Sequence, residues 1–189
     1  PVFVNSGVTP SWGSEITGQN NSRGVLLKDL LSEEGEDLIH DDESNALRGI
    51  AVTGMDGGSV GTWQYSLNGW DAWTSLAGMS ETAARLLPVD ASIRIRFLQP
   101  NGNIATGTAR LIFRAWDRTT GVVGGVLNVL TEDPYRGSIS PTSMTSEIQI
   151  ISTNSAPVLN SAGNPSFTPD FTDKFLNLGI TIAELIQVK

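Results

Sequence analysis

Seven carboxylates fall between residues 33 and 43: Glu33, Glu34, Glu36, Asp37, Asp41, Asp42 and Glu43. A segment so charged cannot enter an apolar core, and repulsion among its side chains favours either a solvated acidic loop or a bound cation. The cation that suits such a loop is calcium, which takes about six to eight oxygens from carboxylates, carbonyls and water. A second group of ligands can gather at Asp117, which directly follows the alternating run 109–116 and so emerges at a strand end. Glu132 and Asp133 sit just before Pro134 in a long loop able to reach the same rim. Asp117 has an equally ordinary alternative, an Asx-type turn in which it caps Thr119 or Thr120. Glu15, Asp170 and Asp173 are weaker candidates of the same chemistry.

Catalytic chemistry finds little to work with. His40 is the only histidine, it lies among carboxylates, and no serine has the glycine pattern of a nucleophile elbow. Cysteine is absent, which removes thiolate metal sites, a Cys nucleophile and a disulfide framework together. No phosphate-cradling Gly-rich loop and no zinc spacing is present. The expectation is a non-enzyme. Among the five tryptophans, Trp63, Trp73 and Trp116 read as aromatic packing between two sheets. Trp12 is placed near the N-terminal edge, against a preceding repeat. Trp70 follows Asn68-Gly69 at a hairpin tip, where exposure suits it to stack on a sugar or a protein partner.

The elements that must position these residues are strands. Residues 49–54, 62–66, 70–74, 92–98, 109–116 and 146–151 alternate or carry β-formers between turn residues, and Asn68-Gly69 is a strong hairpin signal. Only 25–31 and 181–186 have helical character, and both are short. The fold expected is all-β, an antiparallel Greek-key sandwich with one or two short helical turns. Twenty glycines and nine prolines in 189 residues fit that class. A formal charge of −8 disfavours nucleic acid and anionic membrane surfaces and favours cations. No apolar run of about 18 residues is present, so no membrane insertion is expected.

Several segments recur after a period of about 155 residues: Pro1-Val2 as Pro157-Val158, Pro10-Ser11-Trp12 as Pro165-Ser166-Phe167, and 24–31 as 179–186. One complete period at 1–156, followed at 157–189 by the opening of the next, is the domain organisation this implies. The chain reads as a fragment of a longer array, and 157–189 either joins the main sandwich or hangs free.

With those strands in hand, the sequence resembles the cadherin-like tandem repeats of giant bacterial surface adhesins, including the RTX type. The likeness is carried by Ala46-Leu47-Arg48-Gly49-Ile50-Ala51-Val52-Thr53-Gly54, by Gly61-Thr62-Trp63-Gln64-Tyr65-Ser66 to Trp73-Thr74, by Ile93-Arg94-Ile95-Arg96-Phe97, by Phe113-Arg114-Ala115-Trp116-Asp117 and by the junction Asn154-Ser155-Ala156-Pro157-Val158-Leu159. The resemblance implies an immunoglobulin-like extracellular spacer at a bacterial cell surface, monomeric, with neighbouring repeats of the same chain as its partners and cell-surface glycans or proteins as further ones. It also implies calcium in the loops, and it selects Asp37, Asp41 and Asp42 as ligands, because related repeats carry aspartates in the loop entering this strand. The junction Thr153-Asn154-Ser155-Ala156-Pro157 lacks the aspartates of a cadherin-type linker, which leaves the acidic loop before Ala46 as the main site. The repeat is longer than a common cadherin domain, with the extra length assigned to loops around 32–45 and 117–145.

Overall fold

The computed structural model describes residues 1–4, 10–16, 23–33, 36–43, 45–100, 105–133 and 137–151. These lie in the first of the two units into which the chain divides, Pro1–Thr153 and Asn154–Lys189. The recurrence at 157–189, its helical segment and the carboxylates Asp170 and Asp173 lie outside the described residues. In chain order the elements are β1 (Val2–Phe3), β2 (Ser11–Ile16), β3 (Val25–Leu26), α1 (Leu27–Leu30), β4 (Ser32–Glu33), β5 (Glu36–Asp37) and β6 (Ile39–His40). They continue with β7 (Gly49–Met55), β8 (Thr62–Ser66), β9 (Thr74–Ser75), β10 (Ala84–Pro88), β11 (Arg94–Leu98), β12 (Gly107–Trp116), β13 (Val126–Leu127), a 3-10 turn (Val129–Thr131) and β14 (Ile139–Ile151).

Period-two patterning explains how these strands form two layers. In β11 Ile95 and Phe97 are buried while Arg94 and Arg96 face outward, and in β12 Ala109, Leu111, Phe113 and Ala115 are fully buried. A six-stranded sheet of order β13-β10-β7-β12-β14-β2 and a four-stranded sheet of order β3-β11-β8-β9 result. Their inner residues, among them Val52, Leu111, Phe113 and Ile148 from the first and Trp63, Tyr65, Ile95 and Phe97 from the second, share one core. Sheet-on-sheet burial of this kind is what makes the all-β sandwich. Trp63 lies at its centre, edge-on to Trp12 at 5.2 Å and to Phe97 at 5.1 Å. Aromatic pairs of that geometry contribute about 0.5–1.5 kcal/mol beyond their area.

Not every pairing is antiparallel. β2 runs parallel to β14, with Ser11 opposite Glu147 and Ile16 opposite Ile151, and the other ladders are antiparallel. The buried Ser146 hydroxyl donates to the Pro10 carbonyl at 2.6 Å and pins this parallel edge. The helical reading of 25–31 shrinks to one turn, because Val25 and Leu26 pair with Ile95 and Arg94 before the chain turns.

The tryptophans depart from expectation in three places. Trp12 packs on Trp63 within this same sandwich. Trp116 is buried, but alternation along β12 turns it to the opposite face of the six-stranded sheet from Phe113. There it joins Ala51, Ala84, Leu86, Val129 and Ile139 in a second, smaller cluster. Trp73 is only half-buried and lies outside any strand, since β8 pairs with Thr74 and Ser75 alone. The expected two-residue hairpin at Asn68-Gly69 is therefore a longer loop, 67–73. A type I′ turn needs positive φ at both central residues, and only Gly69, at φ 87°, has it.

Candidate metal centre

The loop before β7 and the end of β12 meet at one pole of the six-stranded sheet. The register Trp116↔Gly49 puts the first residue of β7 beside the last of β12, and Ile139, the first of β14, pairs with Trp116 from the other side. Asp117 therefore emerges where three strand ends converge. Its N–H donates to the Ser138 carbonyl at 3.0 Å. Asp41, Glu43 and Asp117 each present one carboxylate oxygen there, all within 4.8 Å of one another. They line a cleft of about 380 Å³ with Pro1, His40, Gly137 and Ile139.

Each acid is held in its own way. Asp117 is 9% exposed, and its Oδ1 accepts from the Thr119 N–H at 2.8 Å and hydroxyl at 2.6 Å. The Asx turn read from the sequence is thus present together with the cluster, because a carboxylate has two oxygens and the turn uses one. Asp41 Oδ1 accepts from the Glu43 N–H at 3.3 Å. Its Oδ2 is buried and has no hydrogen-bond partner among the described residues, but it forms an ion pair with the Pro1 ammonium at 3.2 Å. Glu43 is exposed.

Two of the aspartates expected as ligands, Asp41 and Asp117, are brought together, and three are not. Asp37 forms an ion pair with Arg48. Asp42 also lines the cleft but stays outside the cluster, fully exposed, with Oδ1 3.3 Å from His40 Nε2. Asp133 stays outside the cluster, although its backbone carbonyl accepts at 2.7 Å from the N–H of Gly137, a residue of the cleft. Glu132 accepts from the Ser138 hydroxyl at 3.2 Å. Glu43 takes the place expected of Asp42. No strand spacing marks it, because residues 41–43 lie in a bend after β6, where the Glu43 N–H folds back onto Asp41. Glu15 falls in β2, on the far edge of the sheet.

Comparison with known proteins finds no matching family model, curated protein or solved structure. No helix among the described residues is long and apolar enough to cross a membrane. What the site can do follows from its atoms alone. Three carboxylates at this range repel one another. A hard cation between them converts that repulsion into attraction, and an all-oxygen donor set fits such an ion.

Elsewhere Arg110 and Arg114, on the outward face of the six-stranded sheet, and Arg118, just beyond the end of β12, are neutralised. Arg110 bonds to Glu147 at 2.8 Å and to Asp56 at 3.3 Å, and the hydrogen bond to Glu147, followed by that to Asp56, raises its pKa. Arg114 is held by Glu81, and Arg118 by Asp90.

Proposed function

We propose that this chain is a calcium-binding structural spacer, a stalk repeat of an extracellular bacterial adhesin, of the cadherin-like kind its sequence resembles. The observation that carries the reading is the convergence of Asp41, Glu43 and Asp117, which joins a loop to a strand end more than seventy residues away in sequence. Calcium bound there ties the loop 41–43 to the β7–β12–β14 end of the sandwich, with backbone carbonyls and water completing its shell. The role is rigidity rather than chemistry, so the chain is proposed not to be an enzyme. Its partners are neighbouring repeats, and the folded unit itself is monomeric.

Thermal melts in calcium and in chelator test this. At a free ion concentration of about one hundred times Kd, binding adds about 2.7 kcal/mol, which corresponds to a Tm rise of about 5–10 °C for a domain of this size. Asp117→Asn keeps an oxygen for Thr119 but removes the charge, and should abolish most of the rise while changing the chelator Tm little. An identical Tm in calcium and chelator for the unaltered chain sinks the calcium reading.

A second reading, a carbohydrate- or protein-binding module, is favoured by the exposure of Trp70, 55% of whose surface is open at the loop 67–73.

A further inference from the structure

The outer face of the four-stranded sheet is built differently from that of its partner sheet. Across β11 and β8, Arg94 lies opposite Ser66 and Arg96 opposite Gln64, so the cross-strand neighbours of both arginines are neutral. Arg23, on the turn leading into β3, and Arg94 have no carboxylate within ion-pair distance among the described residues, in a chain whose acidic residues outnumber its basic ones by twenty to twelve. A tryptophan, Trp70, stands by Arg23 and Arg94 where carboxylates stand by the arginines of the other sheet. The guanidinium carbons of Arg94 and Arg23 lie 5.2 Å and 5.8 Å from the Trp70 ring centroid, and that of Arg96 lies 4.0 Å from the centroid of Trp73.

This patch is rigidly framed. Arg94 Nη1 donates to the carbonyls of Gly24 at 3.0 Å and Arg23 at 3.3 Å, and Arg96 Nε donates to Gln64 Oε1 at 2.8 Å. Gly24 has φ 60°, and a Cβ there would lie 2.4 Å from the Ile95 carbonyl oxygen and 2.8 Å from Trp73 Cη2, so the turn sits tight against both β11 and the indole. Arg94 is thereby fixed in one orientation while its Nε and Nη2 keep no partner among the described residues. A pre-oriented guanidinium fork packed over an indole that keeps 55% of its surface exposed is suited to a ligand that is flat, apolar on one face and carboxylated at its edge.

The geometry points to a binding surface for uronate-bearing polysaccharide, formed by Arg23, Trp70 and Arg94 and braced by Trp73 and Arg96. A pyranose ring lays its C–H face on the exposed part of Trp70 and its carboxylate meets Arg94 and Arg23. Charge complementarity favours this over a neutral glycan, because an uncharged sugar would leave the two arginines unused. An acidic peptide answers the charge but has no regularly spaced ring for the indole. The surface deepens the binding-module reading and is independent of the cation site, so it can stand on a spacer or without one.

Calorimetric titration of the full chain, in chelator to separate it from the calcium question, uses oligogalacturonate, uncharged dextran of matched length and poly-glutamate. Binding to oligogalacturonate alone is expected, weakening as salt is raised. Trp70→Ala and Arg94→Lys should each weaken it by roughly tenfold, the scale of one lost stacking or charge-assisted contact. Arg23→Ala, at an exposed turn where misfolding is not at issue, should weaken it less. Absence of oligogalacturonate binding, equal binding to poly-glutamate, or unchanged affinity in the Trp70→Ala, Arg94→Lys double variant each overturns the proposal.

Discussion

Gly24 shows how much a single position can carry. Its left-handed backbone and the absence of room for a Cβ are independent constraints, and alanine violates both. Gly24→Ala should therefore destabilise the fold by on the order of 1–3 kcal/mol, seen as a lower urea midpoint with an unchanged slope. An unchanged midpoint would mean that β3 and Trp73 shift to make room. At this scale the candidate site was partly legible. The density of carboxylates before β7 and the position of Asp117 at a strand end marked out the right two segments. Which side chains meet was not legible, because Asp37 is taken by Arg48 and Asp42 turns to solvent, and both outcomes depend on neighbours that sequence spacing does not reveal. Trp70 was recognisable as exposed. Its arginine neighbours were not, since Arg23 reaches it from a turn that lies far away in the chain.

Among the elements, strands with one apolar and one polar face stood out plainly, as β8, β11 and β12 do. Two others escaped for physical reasons. β10 reads Ala84-Arg85-Leu86-Leu87-Pro88 without alternation because both of its faces are covered, Leu87 by the main core and Leu86 by the second cluster. The first half of β14 falls in the segment 117–145, read from the sequence as a long loop, and it contains Pro141, a residue rare inside strands. It is tolerated there because the register with β12 slips between Arg114 and Trp116, and a bulge needs no N–H from proline. The second cluster also explains the long segment 117–138: part of it, through Val129, covers the outer face of the sheet above Trp116 and Leu86. Trp116→Ala should then cost about 3–5 kcal/mol, as removal from a main core would. Leu130→Ser, at an exposed neighbouring position, should change stability by less than about 0.5 kcal/mol. Equal effects in chemical denaturation would show that the cover adds nothing.

At the scale of the whole molecule, the all-β class was readable from turn residues and alternation, whereas the order of strands was not. Pairings such as β2 with β14 and β3 with β11 join segments that no local pattern relates. The parallel edge is the least expected of them and has the largest consequence. Because β2 and β14 run the same way, the start of β2 at Ser11 and the end of β14 at Ile151 point to opposite poles of the sheet. Tension between those two points slides one strand along the other and strains all of their shared hydrogen bonds together. Tension between Thr108 and Gln149, directly opposed on β12 and β14, peels that antiparallel ladder one rung at a time. Single-molecule pulling with handles at residues 11 and 151 should give a markedly higher rupture force than handles at 108 and 149, and equal forces would refute the argument. A chain with no native cysteine takes such handles at chosen sites alone. Strand direction at one edge thus decides whether this sandwich behaves under load as a zip or as a clamp.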